Sequence, residues 1–201
     1  MDKLASSLGR NDEKPNIELA KSLCHNNDRL AIKDIISGLS DKNKAVANDC
    51  IKVLYEIGRI KPDLIFDYVN DFITCLRSKN NRLVWGGMIA LAFIAPIKPV
   101  EVYSFLSDIV TAYKNGSIIT VDNSISVFAN LCHASNDYMQ EIFPLLLNHL
   151  VSCSAKNVAQ HAERIAICIN ADNREAFIKA LDSRMSELSR PQSIRVRKLK
   201  I

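Results

Sequence analysis

Apolar residues fall along this chain in stripes spaced for one face of a helix, and the stripes recur. Val46, Cys50, Val53, Leu54 and Ile57 stand 37 residues before Leu83, Gly87, Ala90, Leu91 and Ile94. A further 37 residues on come Thr120, Ser124, Val127, Phe128 and Leu131, and 38 more bring Val158, Ala162, Ile165, Ala166 and Ile169. Within each copy the positions run 0, 4, 7, 8 and 11, which is the face of a 3.6-residue helix. The Ile-Lys-Pro of residues 60–62 and 97–99 keeps the same offset. Gly87, Ser124 and Ala162 occupy the second stripe position in turn, where a small residue lets another helix approach closely.

Each stripe is followed by turn chemistry and a second amphipathic run. Phe66, Val69, Phe72, Ile73 and Leu76 align with Tyr103, Leu106, Ile109, Val110 and Tyr113; the last four positions recur as Phe143, Leu146, Leu147 and Leu150, with Ile142 ahead of them. Pro62 and Pro99 suit the first position of a helix, where a missing N–H does no harm. Ser135 and Asp172 are expected N-caps of the third and fourth second helices. Upstream, Ile17–Leu23 and Leu30–Leu39 read as a less regular pair that closes the array with a polar outer face. The expected organisation is a partly flexible segment over 1–15, a repeat domain over 16–189 and a basic tail over 190–201. Its hairpins fall near 16–40, 41–78, 79–115, 116–153 and 154–189.

Residues 83–97 are uncharged throughout. Fifteen residues fall short of the roughly 20 that cross a bilayer, so the stretch reads as the first helix of a central repeat, covered on several sides. Gly86 and Gly87 each cost about 1 kcal/mol of helix propensity, which close backbone packing would offset. Trp85, within it, is expected to be core or interfacial.

The first-helix segments VANDCIKVLYEI, LVWGGMIALAFI and VAQHAERIAICI resemble the HEAT repeat. The resemblance covers about residues 16–189 and implies an all-α fold, a right-handed α-α superhelix of about four HEAT-like hairpins plus the N-terminal helical cap. It also implies that second helices line a concave face that binds other proteins. HEAT-like alkylpurine DNA glycosylases supply the alternative: a nucleic-acid-binding or DNA repair module with a basic, aromatic groove. Against an enzyme stands the lack of H-E-x-x-H, G-x-S-x-G, a phosphate-binding glycine loop or spaced paired carboxylates. No catalytic residue and no cofactor is expected.

Composition and charge refine this picture. With 48% hydrophobic and 24% charged residues, the chain has what a soluble folded domain needs. The N-terminal residues lack the apolar run of a secretory signal. Six cysteines without C-x-x-C spacing read as packed, reduced thiols of a cytoplasmic protein. His149 and Cys153 share a helical face, but two ligands alone predict no metal site.

The net charge of +4 is unevenly spread. On the second helices, Asp63, Asp67 and Asp71 oppose only Arg77, and Glu101 and Asp108 oppose Lys114. Asp137 and Glu141 are unopposed. That sign is wrong for a DNA groove. It predicts that Asp63, Asp67, Asp71, Glu101, Asp108 and Glu141 form a groove for a basic peptide or helix. The tail residues Arg195, Arg197, Lys198 and Lys200 read as a solvated chain end, a short strand, or a contact with RNA or with an acidic surface, including the acidic groove of the same or a neighbouring molecule.

Overall fold

The computed structural model describes residues 1–200. Among them are twelve α-helices joined by short turns and no strand: α1 Lys14–Asn26, α2 Arg29–Ser37, α3 Lys44–Ile60, α4 Val69–Leu76, α5 Asn81–Ile94 and α6 Pro99–Tyr103, then α7 Leu106–Asn115, α8 Ile118–Ala134, α9 Asn136–Ser152, α10 Ala155–Ile165, α11 Arg174–Asp182 and α12 Arg190–Lys198. No helix among the described residues is long and apolar enough to cross a membrane. The chain divides into two compact units, Met1–Ser124 and Ile125–Ile201.

The repeat register is visible in how the helices begin. The four first helices, α3, α5, α8 and α10, start at Lys44, Asn81, Ile118 and Ala155, each 37 residues after the last. The preceding residue is Asn43, Asn80, Ser117 or Ser154. Asn43 accepts from Ala45 N at 3.0 Å, Asn80 from Arg82 N at 3.1 Å and Ser117 from Thr120 N at 3.4 Å, so side chains satisfy N–H groups that no helical carbonyl reaches. Ser154 makes no such bond. The stripes are core: Cys50, Val53, Leu54 and Ile57, then Ala90, Leu91 and Ile94, then Val127, Phe128 and Leu131 are all fully buried.

In the N-terminal unit α3 packs between α1 and α5, and α4 lies on α5. The two glycines of α5 face different neighbours. A Cβ at Gly86 would lie 2.5 Å from Cγ1 of Ile51 on α3, and one at Gly87 would lie 2.9 Å from the backbone oxygen of Phe72 on α4. The uncharged stretch is therefore helix to Ile94, held against a helix on each side.

Second helices depart from the expectation of unbroken rods. The second element of the second hairpin is two 3-10 turns, Pro62–Leu64 and Phe66–Tyr68, followed by α4, and that of the third is α6 followed by α7. α4 and α7 begin 37 residues apart. Both proline starts hold as expected. Ser135 caps α9 through Asp137 N at 3.2 Å, but Asp172 caps nothing. The turn before α11 is organised by Asn170 and Asn173, each accepting from the other's backbone N–H, with Asn173 at the N-cap position.

Both chain ends correct the sequence expectation. The N-terminal segment is packed: Leu4 and Ala5 are buried, Ala5 N donates to Asn16 at 3.0 Å, and Ser6 N donates to Asp49 at 2.7 Å. Residues 190–198, expected as a solvated end, form α12, which lies on α10 and buries Val196 completely. Gln192 fixes its start by donating to the carbonyls of Ala155 and Lys156 at 3.1 and 3.0 Å. The alternation of basic and apolar residues is thus compatible with a helix that needs only one buried anchor. Ile201, the last residue of the expected tail, lies outside the described residues.

Candidate functional site

Three second-helix segments of the N-terminal unit carry one motif: Asp34-Ile-Ile-Ser37 on α2, Asp71-Phe-Ile-Thr74 on α4 and Asp108-Ile-Val-Thr111 on α7, each 37 residues from the next. The central apolar pair belongs to the buried or half-buried side. Aspartate and hydroxyl, three apart, share the other face of the helix. Ser37, Thr74 and Thr111 each donate back to the carbonyl four residues earlier, at 3.1, 2.9 and 2.8 Å. Their oxygens keep lone pairs directed outward.

Two open clefts lie between these segments. One, of about 480 Å³, is lined by Ser37, Asp71, Thr74 and Arg77 among others, over a floor that includes Ile36 and Leu83. The next, of about 280 Å³, is lined by Arg77, Asp108, Thr111 and Asn115. Arg77 stands in both and forms a two-pronged ion pair with Asp108, at 2.7 and 2.8 Å. The guanidinium holds the Asp108 carboxyl below its ordinary range. Asp71 has no such cation, and burial pushes its carboxyl above the ordinary range. The two aspartates on this face are therefore electrostatically different: Asp108 is already matched, and Asp71 is not.

The five expected acidic residues of the N-terminal unit do not form one cluster. Asp71 and Asp108 line the clefts. Asp63 and Asp67 lie in the two 3-10 turns that precede α4, and Glu101 sits in the first turn of α6, paired with Lys98 at 3.2 Å; these three line neither cleft. Glu141 is exposed on α9 in the C-terminal unit. Asp34 was not expected. The less regular N-terminal pair conceals that its second helix follows the 37-residue register, and aligning Asp34-Ile-Ile-Ser37 with the next two copies is the signal that finds it.

Two of the four basic tail residues are engaged within their own unit. Arg195 forms a two-pronged pair with Glu163 at 2.7 and 2.6 Å. Lys200 pairs with Asp182, and its carbonyl accepts from Arg174 at 2.6 Å. Arg197 and Lys198 are exposed.

A second cluster has a structural explanation. Lys52 and Glu56, on one face of α3, are 6% and 5% exposed and pair at 2.7 Å. Lys52 also meets Glu13 at 2.9 Å, and its ammonium stands 4.7 Å from the centre of the Tyr55 ring. Glu13 in turn pairs with Arg82, whose guanidinium lies 5.3 Å from the half-buried Trp85 ring. Tyr55 and Trp85 pack at 5.8 Å between centroids. Trp85 thus belongs to an interface between α3 and α5 that the segment before α1 closes, and sequence alone gives no sign that Lys52 and Glu56 are covered.

In the C-terminal unit the fold adds His161 to the His149–Cys153 pair. The donor atoms of all three lie within 4.8 Å of one another, a grouping suited to a metal ion.

No protein-family model matches the sequence, and no curated protein matches it significantly. Solved structures do. A computationally designed armadillo repeat protein for modular peptide recognition matches with a TM-score of 0.69 at 15% identity, over 90% of this chain and 84% of the other. A second designed armadillo repeat protein matches with a TM-score of 0.64 at 14% identity, over 98% and 96%. An engineered protein matches at 0.63 and 17% identity, over 98% and 91%. The fold is all-α and of the HEAT- and armadillo-like helical-repeat class.

Proposed function

We propose that this chain is a non-enzymatic protein-interaction module that binds a basic peptide or helix along the face formed by α2, α4 and α7. The observation that carries the proposal is the Asp-x-x-Ser/Thr motif, repeated at 34, 71 and 108 and opening at the second and third copies into clefts of about 480 and 280 Å³. Asp71 gains most from an incoming cation, because it is half-buried and unpaired. Asp34 extends the field to the next helix. Asp108 contributes less, since a ligand must first displace Arg77 or lie beside it. Asp63 and Asp67 add long-range attraction, which raises the association rate more than the affinity. Peptide recognition by a designed armadillo protein supports this use of the fold. Free, mostly buried cysteines suit a reducing compartment, and the proposal takes the protein to be cytoplasmic.

Fluorescence anisotropy with a labelled arginine- and lysine-rich peptide tests the proposal. Wild-type protein is expected to bind, and Asp34→Lys with Asp71→Lys to weaken binding by about 10-fold or more, equivalent to about 1.4 kcal/mol. Reversing Asp63 and Asp67 instead should slow association and change dissociation little. Tight binding of duplex DNA by the wild type at about 150 mM salt, where nonspecific contacts are already weak, would overturn the proposal in favour of a nucleic-acid module. So would a double reversal that leaves peptide affinity unchanged.

A further inference from the structure

Two buried imidazoles face each other in the C-terminal unit, and a thiol stands beside them. His149 lies in the last turn of α9 and Cys153 four residues on, at its C-terminal cap, so both project from one side of the helix. α10 brings His161 against them. Nε2 of His149 and Nδ1 of His161 are 2.7 Å apart, and their ring centroids are 4.7 Å apart. The Cys153 sulfur completes a set in which every donor lies within 4.8 Å of the others. His149 and His161 are buried, whereas Cys153 is half-buried.

We infer that His149, Cys153 and His161 form a binding site for a borderline-soft divalent ion, of which Zn2+ is the best match. Two imidazole nitrogens and one thiolate are preferred zinc donors. Tetrahedral bonds of about 2.0–2.1 Å to nitrogen and 2.3 Å to sulfur place donors roughly 3.5 Å apart, and the present separations bracket that spacing. Small side-chain rotations on two fixed helices reach it. The fourth position opens on the side of Cys153, where a water molecule or an outside ligand completes the shell.

The surroundings suit a thiolate–metal bond. Arg184, itself buried, donates to the carbonyls of Leu150, Val151 and Cys153 at 2.7, 2.9 and 2.8 Å, and so pins the helix end that carries two of the ligands. Its charge does not repel the ion strongly, because Glu187 pairs with the same guanidinium at 2.9 and 2.7 Å. On binding, the Cys153 thiol gives its proton to solvent and the sulfur takes the metal. The imidazole that holds a proton between the two rings carries it on its other nitrogen instead, so both rings remain neutral and one proton is released per ion.

The full chain, treated with chelator and then titrated with Zn2+, is the test. One equivalent should bind with release of one proton, and the complex should melt at a higher temperature than the metal-free protein. Co2+ in its place should show tetrahedral ligand-field bands and a thiolate-to-cobalt charge-transfer band. Because His161 is fully buried, the deciding variant is Cys153→Ser, at the half-buried helix end, with its fold checked by circular dichroism. It should lose the charge-transfer band and bind Zn2+ at least 100-fold more weakly, beyond the roughly 10–100-fold that loss of an outer-sphere partner costs. Failure of the wild type to take up one equivalent, or a folded Cys153→Ser protein that binds as tightly, would overturn the inference and leave a hydrogen-bonded histidine pair of structural use alone.

Discussion

Gly87→Leu lowers the melting temperature of the protein by about 6–12 °C, corresponding to roughly 3 kcal/mol. The size of the effect follows from what the new side chain meets. Its Cβ alone would lie 2.9 Å from the Phe72 carbonyl oxygen and 3.0 Å from Cys75 Cβ. A backbone oxygen inside a helix cannot swing aside as a side-chain end can, so α4 and α5 must separate along their contact. Gly87→Ala should cost less but still destabilise, in spite of alanine's better helix propensity. A thermal melt followed by circular dichroism checks both. An unchanged midpoint for the leucine variant would mean that α4 does not lie on this side of α5.

Lys52→Ala is expected to destabilise the protein by about 3–5 kcal/mol, as removing one partner of a buried ion pair leaves the other charged and uncovered. Glu56 is the group left behind. It is 5% exposed, and its remaining cation, Arg59, lies 3.6 Å away on a side chain that is 60% exposed. Replacing both partners, Lys52→Met with Glu56→Gln, should recover much of the loss, because no unpaired charge stays buried. Chemical denaturation of the three proteins measures this. If Lys52→Ala is as stable as the wild type, the pair is not shielded from solvent.

The same cluster sets a pH dependence. Burial opposes the charge on Lys52, but its bonds to Glu56, Tyr55 and Glu13 outweigh it and raise the ammonium above its ordinary 10.5. That contribution is complete below pH 10.5 and is lost only as pH rises through the higher folded value. Glu13 moves the other way. Burial alone would raise its carboxyl, yet Lys52 and Arg82 hold it below 4.5, so its contribution is present above 4.5 and lost on acidification through the lower folded value. Burial also raises the Tyr55 hydroxyl above its ordinary 10.0, which lowers stability from that pH upward, so stability should be flat between 4.5 and 10.0 as far as this cluster governs it.

Local periodicity made much of the fold legible. A stripe of apolar residues must face something, and four stripes at nearly constant offset can face only one another and their partner helices. The close approach at Gly87, the proline starts at Pro62 and Pro99 and the cap at Ser135 follow from that register. The breaks before α4 and α7 do not. Amphipathic spacing continues across Ile65 and Phe105, whose backbones lie near φ −122°, ψ −2° and φ −109°, ψ 22°, and no proline or glycine marks them. Chain ends were illegible for a related reason: α12 is tied down by a single buried valine and by carbonyls of α10, contacts that no periodicity records.

The candidate site was half legible. Asp71 and Asp108 stood out as acidic residues on second helices, but charge alone gave no way to separate them from Asp63, Asp67 and Glu101, which turn and helix geometry carries away from the clefts, or from Glu141, which belongs to the other unit. Asp34 was hidden because the first pair of helices shows the register only in its second member. His161 was missed because its partnership depends on how α9 and α10 pack, and twelve residues of separation fall outside any one helical face.

Titration of 15N-labelled protein with a basic peptide, followed by amide chemical shifts, tests the central claim most directly. Binding along the second-helix face predicts perturbations centred on Asp34–Ser37, Asp71–Thr74 and Asp108–Thr111, with the largest at Asp71 and its cleft neighbours. Shifts confined to residues 155–200, or none at peptide concentrations that saturate the anisotropy signal, would contradict it.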